Sequence, residues 1–400
     1  MLTIESLTHL GMGRASDGRS LLPRVLPDEE VSVAQDGTIR IVTPSTDRVA
    51  PPCRHFKTCG GCAMQHATDA FVADWKLGIV QKALKAHGLA PDFRAIVTSP
   101  PQSRRRAKLS GRRTKKGAMV GFHARASDVL VAVPECQLLT PALIASFPAL
   151  EALTVIACSR KGEIDLTVTE APLGVDVLVN TDKELTPQLR MELAEFAQQH
   201  RLSRLVWNDE PVVTLNPPAQ DFGGTPVVPP PGAFLQATKH GEAALLQGVA
   251  EITHKAARII DLFAGCGTFT LPLAKHAEVH AVEGDKPMLA ALDRGWRSGR
   301  ELRRVTTEAR DLFRRPLEPD ELRHFDAAVI DPPRAGAEAQ IETLARSDIR
   351  NIAMVSCNPV TFARDAKTLT DAGFALNWVQ VVDQFRWSAH VEVVTSFTRK

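Results

Sequence analysis

Residues 259–272 read Ile259-Ile-Asp-Leu-Phe-Ala-Gly-Cys-Gly-Thr-Phe-Thr-Leu-Pro272, an apolar run that ends in an acid and leads into a Gly-x-Gly turn. Glycines at such a turn let the backbone bend tightly and approach a bound nucleotide-like molecule. A helix-like run from Leu271 to His276 follows the turn. The stretch therefore predicts the first strand, turn and helix of a Rossmann-like, doubly wound α/β domain.

Acids end three of the predicted strands of this domain. Asp261 ends the first strand, and Val279-His-Ala-Val-Glu-Gly-Asp285 gives a second strand that ends in Glu283. Phe325-Asp-Ala-Ala-Val-Ile-Asp-Pro-Pro333 gives a fourth strand that ends in Asp331. A carboxylate at the end of the second strand is typical of ribose binding, but the G-x-G-x-x-G fingerprint of NAD sites is absent. The pattern favours S-adenosylmethionine over NAD, although each acid taken alone could be a solvated strand end.

One cysteine occupies a position from which it could act on a substrate. Met354-Val-Ser-Cys-Asn-Pro359 places Cys357 where a predicted fifth strand gives way to a helix beginning near Thr361. Carbon 5 of a pyrimidine is a poor nucleophile, and addition of a thiolate to carbon 6 would turn it into a carbanion that can accept a methyl group. A lone cysteine is more often buried filler, but the adjacent cofactor site favours a nucleophile here.

Such a reaction also needs a base to remove the proton from carbon 5. Glu392, in His390-Val-Glu392-Val, is a carboxylate in an otherwise apolar predicted strand and is the candidate base. A surface glutamate at a strand edge is the alternative interpretation. Cys158 and Cys266 have no comparable setting, and we predict that they are small packing residues.

A second group of cysteines has the character of a metal site. Cys53-x5-Cys59-x2-Cys62 lies in a loop with Gly60-Gly61 between the close pair, and Cys136 is a distant fourth cysteine. The two glycines would let the loop wrap tightly around a centre. Four thiolates suit either zinc or an iron-sulfur cluster, and the spacing leaves both open.

Composition divides the chain into three predicted domains. Residues 1–50 alternate short apolar runs with turn residues, which is typical of a small β-barrel. Residues 51–225 begin with the cysteine loop, contain a helix at 68–87 that could pack on the catalytic domain, and continue as β-rich sequence. A Pro-rich linker at 216–231 then leads into the α/β domain at 226–400.

A basic segment indicates a polyanionic partner. The net charge of the chain is only +2, but residues 103–127 contain nine basic residues and no acid. We predict that this run binds the phosphates of a nucleic acid, although a solvated basic hairpin would have the same sequence. The nine residues are Arg104, Arg105, Arg106, Lys108, Arg112, Arg113, Lys115, Lys116 and Arg125.

Composition also excludes some classes of protein. No apolar stretch approaches the length of a membrane span, and Met1 opens into polar sequence without a signal peptide, so we expect a cytoplasmic protein. Seven cysteines, an odd number, argue against a disulfide framework. No obligate protein partner is evident, and we expect a monomer.

Seven motifs carry a family resemblance that covers essentially the whole chain. They are Cys53-x5-Cys59-Gly-Gly-Cys62-x2-Gln65, Arg104-Arg-Arg-Ala-Lys-Leu109, Phe234-x-Gln236, Asp261-Leu-Phe-x-Gly-x-Gly267, Asp331-Pro-Pro-Arg-Ala-Gly336, Ser356-Cys-Asn-Pro359 and His390-Val-Glu392. With these motifs the chain resembles the class I RNA uracil-5-methyltransferases, the family of the 23S ribosomal RNA and tRNA enzymes. Three differences stand out: Thr268 and Asp311 replace frequent asparagines, and Phe385-Arg-Trp-Ser388 replaces Phe-Pro-x-Thr.

The resemblance implies methyl transfer from S-adenosylmethionine to carbon 5 of a uridine, with 23S ribosomal RNA as the expected substrate. It implies a Rossmann-like methyltransferase domain, a β-rich central iron-sulfur domain, and an N-terminal barrel that looks like a TRAM domain, an RNA-binding fold of the OB type found in the ribosomal branch. It further implies that Cys357 is the nucleophile and Glu392 the base. The implied [4Fe-4S] ligands are Cys53, Cys59, Cys62 and Cys136, and the implied cofactor contacts are Gln236, Phe263, Thr268, Glu283, Asp311 and Asp331.

Four alternative functions remain to be weighed. A tRNA uracil-5-methyltransferase would share the catalytic motifs. An RNA cytosine-5-methyltransferase would usually have a cysteine directly after the motif at Asp331, where Arg334 stands. An adenine amino-methyltransferase would need an aromatic residue there. A non-catalytic RNA-binding relative would be expected to have lost Cys357 or Glu392, and both are present.

Overall fold

The N-terminal domain is a five-stranded antiparallel sheet. The structure is a computed structural model and describes residues 1–399. The strand order is β3-β2-β1-β4-β5. The strands are β1 (Leu2–Leu7), β2 (Met12–Ala15), β3 (Leu21–Pro23), β4 (Glu30–Val33) and β5 (Ile39–Thr43). Ile4, Val25 and Val31 form its small core. The edge strands β3 and β5 do not pair with each other in the described chain, so the sheet is open between them. The prediction for this segment was a small β-barrel of the OB type, a fold that is itself partly open.

The segment after the cysteine loop packs on the C-terminal domain. It contains α1 (Asp69–Ala86), β6 (Asp92–Phe93) and β7 (Val97–Thr98). The hydroxyl of Thr68 caps α1 by accepting the Phe71 N–H at 3.3 Å. Val80 and Leu84 of α1 are fully buried in the C-terminal core, and the two short strands extend the C-terminal sheet. The predicted boundary at residue 226 therefore separates α1, β6 and β7 from the C-terminal domain on which they pack.

The central domain consists of a seven-stranded sheet and three helices. The strand order is β10-β9-β8-β11-β12-β13-β14, and only the β12–β13 pair is parallel. Leu153, Leu166 and Leu193 lie in its core. The elements are β8 (Arg106–Thr114), β9 (Gly117–His123), β10 (Leu130–Ala132), α2 (Pro141–Ala145), α3 (Phe147–Ala157), β11 (Ile164–Ala171), β12 (Gly174–Asn180), α4 (Pro187–Gln199), β13 (Arg204–Trp207) and β14 (Glu210–Thr214).

The Pro-rich segment predicted as a linker contains an ordered hairpin. Its strands are β15 (Gln220–Phe222) and β16 (Thr225–Val227). Gly223 and Gly224 form the turn with φ of +64° and +88°, in the left-handed region that glycine adopts without strain. Phe222 and Val227 are buried together with Leu271 of the C-terminal domain. The segment is thus packed onto that domain and is not a free linker.

The C-terminal domain is the predicted doubly wound α/β fold. Its sheet runs β19-β18-β17-β20-β21-β23-β22-β6, with β7 also paired to β22 and only β23 antiparallel to its neighbours. The elements from residue 239 are α5 (Lys239–Thr253), β17 (Arg258–Leu262), α6 (Thr270–Leu273), β18 (Glu278–Glu283), α7 (Lys286–Ser298), β19 (Val305–Ala309), α8 (Pro319–Leu322), β20 (Ala327–Ile330), α9 (Glu338–Arg346), β21 (Asn351–Ser356), α10 (Pro359–Asp371), β22 (Ala375–Asp383) and β23 (Val393–Thr398).

Apolar cores cover both faces of this sheet, which explains the near-continuous apolar sequence of its parallel strands. Chain order reverses between β17 and its neighbours β18 and β20. Sheets of this kind bind ligands at the carboxyl ends of the strands beside such a reversal. Over residues 1–399, no helix is both long and apolar enough to cross a lipid bilayer.

Residues 103–127 were predicted to form a phosphate-binding surface, but the structure divides them between buried and exposed positions. Arg105 is fully buried, forms an ion pair with Glu242 of α5, and donates to the Gln236 carbonyl at 3.1 Å. Arg106 donates to the Gly232 carbonyl at 2.8 Å. The first part of the run therefore joins the central and C-terminal domains. The exposed basic residues lie farther along the run, and they include Arg113, Lys115, Lys116 and Arg125.

Candidate active site

A cavity of about 760 Å³ lies at the carboxyl ends of the parallel strands. All eight side chains predicted as catalytic residues or cofactor contacts line it. They are Gln236, Phe263, Thr268, Glu283, Asp311, Asp331, Cys357 and Glu392. Parallel strands deliver their carboxyl ends to one edge of a sheet, so residues far apart in sequence meet there.

The turn after β17 forms the floor of the cavity. Gly265 and Gly267 have φ of +56° and +94°, and a Cβ at Gly267 would lie 2.9 Å from the Leu292 side chain. This position therefore requires glycine both for its backbone conformation and for space. Asp261, the acid at the end of β17, is fully buried beneath the turn and accepts the Thr270 hydroxyl at 2.5 Å. It braces the turn instead of lining the cavity.

One half of the cavity combines an aromatic wall with two carboxylates. The rings of Phe263 and Phe313 pack with centroids 5.4 Å apart. Glu283 accepts the Gly265 N–H at 3.0 Å, which fixes its carboxylate at the turn. Asp311 accepts the Phe313 N–H at 3.0 Å. This half suits a ligand that has a flat apolar ring and hydroxyl groups.

Cys357 lies in the other half, at the junction of β21 and α10. The Asn358 side chain caps the helix by accepting the Val360 N–H at 3.0 Å, and Pro359 occupies the first helical position. Asn358 also donates to the Arg334 carbonyl at 2.9 Å, which ties this junction to the segment after β20. Burial, followed by the negative charges of Glu392 and Asp331, raises the pKa of the Cys357 thiol to about 12. The free protein therefore holds a thiol at neutral pH.

Glu392 lies directly before β23 and is only 3% exposed, which excludes the surface alternative. Burial, followed by the charge of Asp331, raises the pKa of Glu392 to about 8. Burial, followed by the charge of Asp261, raises the pKa of Asp331 to about 7. A buried carboxyl group whose ionisation is opposed by a neighbouring carboxylate can hold a proton near neutral pH.

Three polar side chains of the site were not predicted from the sequence. Arg334 and His390 belong to the quoted motifs, and the Arg334 guanidinium donates to His390 Nδ1 at 2.9 Å. A guanidinium can only donate, so Nδ1 of the imidazole is unprotonated, in keeping with the lowering of the His390 pKa by burial and then by Arg334. Gln384 donates to Glu392 at 3.0 Å, and no sequence signal marks it.

The four N-terminal cysteines, Cys53, Cys59, Cys62 and Cys136, line a second cavity of about 560 Å³. The Gly60 N–H donates to the His123 carbonyl at 2.9 Å, and a Cβ at Gly60 would lie 2.7 Å from that oxygen. Glycine therefore lets the cysteine loop lie against the end of β9. The Gly61 N–H donates to Cys59 Sγ at 3.3 Å. Among the residues described, no three His, Cys, Asp or Glu side chains are grouped closely enough to hold a single metal ion.

The N-terminal half holds the active-site loop, residues 384–391 between β22 and Glu392. The backbone N–H groups of Ala63 and Met64 donate to the Trp387 carbonyl at 2.7 and 3.0 Å. Lys76 of α1 is fully buried and donates to the Phe385 carbonyl at 3.0 Å while it forms an ion pair with Asp383. The cysteine loop and α1 thus fix the loop that leads to Glu392.

Comparison with known proteins gives concordant matches. The sequence model of the family described as tRNA (Uracil-5-)-methyltransferase matches residues 230–400. An uncharacterized RNA methyltransferase of Rhizobium meliloti is 43% identical over 97% of this chain and 96% of its own length. A 23S rRNA (uracil(1939)-C(5))-methyltransferase of Dichelobacter nodosus is 32% identical over 100% and 98%. The crystal structure of a Pyrococcus abyssi tRNA (uracil-54, C5)-methyltransferase with S-adenosyl-L-homocysteine superposes with a TM-score of 0.75 at 21% identity, covering 100% of this chain and 99% of that one.

Proposed function

The chain belongs to the RNA uracil-5-methyltransferase family, and from this premise we propose that it methylates carbon 5 of a uridine in 23S ribosomal RNA. The observation that carries the proposal is the cavity in which Cys357 and the buried Glu392 meet. A nucleophilic sulfur and a base are the two groups that this chemistry needs from the protein.

The residues of the cavity fit S-adenosylmethionine as methyl donor. The wall of Phe263 and Phe313 suits the adenine ring, and the Glu283 carboxylate at the end of β18 suits the ribose hydroxyls. When bound, S-adenosylmethionine supplies an electrophilic methyl group. The residues that would hold it are Gln236, Phe263, Thr268, Glu283, Asp311 and Asp331.

In the first step, the Cys357 sulfur adds to carbon 6 of the uracil while its thiol proton passes to the neighbouring Asp331 carboxylate. The pKa of about 12 means that this proton must leave as the sulfur attacks or when RNA binding changes the surroundings. Formation of the sulfur–carbon bond moves an electron pair to carbon 5, which can then accept the methyl group.

In the last step, Glu392 takes the proton from the methylated carbon 5. The electron pair of that C–H bond restores the double bond between carbons 5 and 6, and the Cys357 sulfur leaves as a thiolate. Glu392 must be ionised to act in this step. Its pKa of about 8 places its titration within the working range of a base near neutral pH.

The Dichelobacter nodosus relative, which is named for 23S rRNA, supports a ribosomal substrate over a tRNA. The five-stranded N-terminal sheet occupies the place of the expected TRAM-like domain, and for it we propose an RNA contact outside the catalytic domain. The competing tRNA activity is a defined outcome of the test below.

To test the function, RNA from a strain that lacks the gene should be compared by mass analysis with RNA from the parent strain. We expect 5-methyluridine to disappear from one position of 23S ribosomal RNA and to return on complementation with the intact gene. Loss from tRNA alone would assign the tRNA activity, and loss of 5-methylcytidine would assign cytosine methylation. Unchanged RNA would refute the function.

We also propose that the four cysteines that line the second cavity bind a [4Fe-4S] cluster. Four thiolates around one cavity suit such a cluster, and the Gly61 N–H bond to Cys59 Sγ is of the kind that stabilises sulfur ligands. The cluster would tie the loop at Cys53–Cys62 to Cys136.

Metal analysis tests this cluster directly. Protein purified without oxygen should absorb broadly in the visible and contain about four irons per chain, as a [4Fe-4S] centre requires. Cys62→Ala should lose most of this iron, whereas the matched change Cys158→Ala, in the core of the central domain, should retain it. Stoichiometric zinc without iron would contradict the assignment.

A further inference from the structure

We propose that Gln384 is a positioning residue that holds the base Glu392 and the cofactor-side residue Gln236 in one hydrogen-bonded unit. The inference rests on the proposed function, since it assigns a partner to the base of that reaction. Gln384 is 2% exposed and lies directly after β22, at the start of the active-site loop.

The orientation of the Gln384 amide is fixed by a backbone group. Its Oε1 accepts the Ala237 N–H at 2.7 Å, and a backbone N–H can only donate. The carbonyl oxygen of the side chain must therefore face Ala237, which leaves the NH2 group on the opposite side. A flipped amide would place two donors against each other at a buried position.

Both donors of that NH2 group are used. One goes to Gln236 Oε1 at 2.5 Å and the other to Glu392 Oε2 at 3.0 Å. Because Gln236 accepts through its oxygen, its own nitrogen is free to donate, and it does so to Asp331 at 3.1 Å. The Gln384 and Gln236 amides are therefore linked by a hydrogen bond, and each donates to one carboxyl group of the site. Gln384 donates to Glu392, and Gln236 donates to Asp331.

Gln384 is also confined by packing. A Cβ at Gly241, in the first turn of α5, would lie 2.6 Å from Gln384 Cβ, so the helix approaches this side chain as closely as glycine permits. In the described chain, Gln384 is the only hydrogen-bond donor to the Glu392 carboxyl group. It alone can therefore fix the direction in which that carboxyl group points.

The groups around Glu392 determine how the Gln384 hydrogen bond affects the ionisation of its carboxyl group. Burial and then the charge of Asp331 after β20 oppose ionisation of Glu392, whereas the Gln384 amide and Arg334 favour it. His390, on the same loop, accepts from Arg334 and adds no positive charge. Removing the Gln384 donor should therefore make Glu392 harder to ionise and move the pH at which it works upward.

The test is the pH dependence of adduct resolution in single turnovers. Methyl-labelled adduct formed with an RNA transcript is followed until free 5-methyluridine RNA appears, in the full-length protein and in Gln384→Met, which has a similar length but no amide. We expect the midpoint of the resolution rate to rise by about one pH unit, with an approximately tenfold slower rate at pH 7 and recovery at higher pH.

Matched variants separate this role from a general loss of structure. Gln380→Met makes the same change in β22, which precedes Gln384, but outside the cavity, and should leave the midpoint unchanged. Gln384→Glu keeps an acceptor for Ala237 but places a like charge against Glu392, so it should shift the midpoint in the same direction and carries the test if Gln384→Met does not fold.

An unchanged midpoint in a folded Gln384 variant, with a parent protein that forms and resolves the adduct, would overturn this inference alone. A parent protein that forms neither adduct nor 5-methyluridine would overturn the proposed function and this inference with it. The two failures are thus distinguishable in one experiment.

Discussion

Cys357→Ala is expected to lower methyl transfer by on the order of 10⁶-fold, comparable with the loss of a covalent nucleophile in other enzymes. Without the sulfur, carbon 5 of the uracil has no means of becoming a nucleophile, although the cofactor half of the cavity is intact. No covalent protein–RNA complex should form. Transfer of labelled methyl groups to a transcript, and electrophoresis under denaturing conditions, measure the two effects.

The control for this variant is Cys158→Ala. Cys158 is also buried, but it lies in the core of the central domain, so its removal should leave methyl transfer close to the parental rate. Covalent adducts formed by Cys357→Ala would show that another group is the nucleophile. A similar loss of activity in both variants would point to a folding defect.

Glu392→Gln is expected to lower turnover by about 10²- to 10⁴-fold, the usual effect of losing a general base. The variant keeps the shape of the side chain and an oxygen for the Gln384 donor, but it cannot take up a proton. Addition and methylation should proceed while elimination stalls. A methylated protein–RNA adduct should therefore accumulate and survive denaturing electrophoresis, in contrast to Cys357→Ala.

The pH dependence gives a second readout for Glu392. Because its pKa is about 8 and the ionised form is active, resolution in the parent protein should accelerate as the pH rises through about 8 and level off about one pH unit above that value. Glu392→Gln should lose this rise. Glu251→Gln, an exposed change on α5, should keep it. Parental turnover in Glu392→Gln would remove this residue from the reaction.

Sequence reasoning located the cavity because its parts are local motifs on parallel strands. Each of these parts stands at the end of a recognisable apolar strand: the turn at Gly265 and Gly267, the acids that end β18 and follow β20, and Cys357 after β21. The topology then brings strand ends together at one edge of the sheet. Only the sequence pattern of each strand had to be recognised, because the parallel sheet itself brings the residues at the strand ends close together.

Residues whose roles depend on distant partners could not be found in this way. A run of arginines has the same sequence whether it faces solvent or is buried, and the partner of Arg105 is Glu242, 137 positions away. Gln384 is defined by contacts with Ala237, Gln236 and Glu392, none of which its neighbours in sequence reveal. The hairpin at 220–227 was predicted as a linker because prolines indicate turns. They do not indicate which residues those turns pack against.

The hydrogen bonds from the cysteine loop and α1 to the active-site loop also determine when the site can assemble during synthesis. The groups that hold the loop, Ala63, Met64 and Lys76, leave the ribosome early, whereas the carbonyl groups of Phe385 and Trp387 that they bind are made near the C-terminus. A nascent chain therefore contains these donor groups long before it contains the active-site loop that they hold in place. Glu392 comes still later, so a chain that stops before this residue has no assembled site.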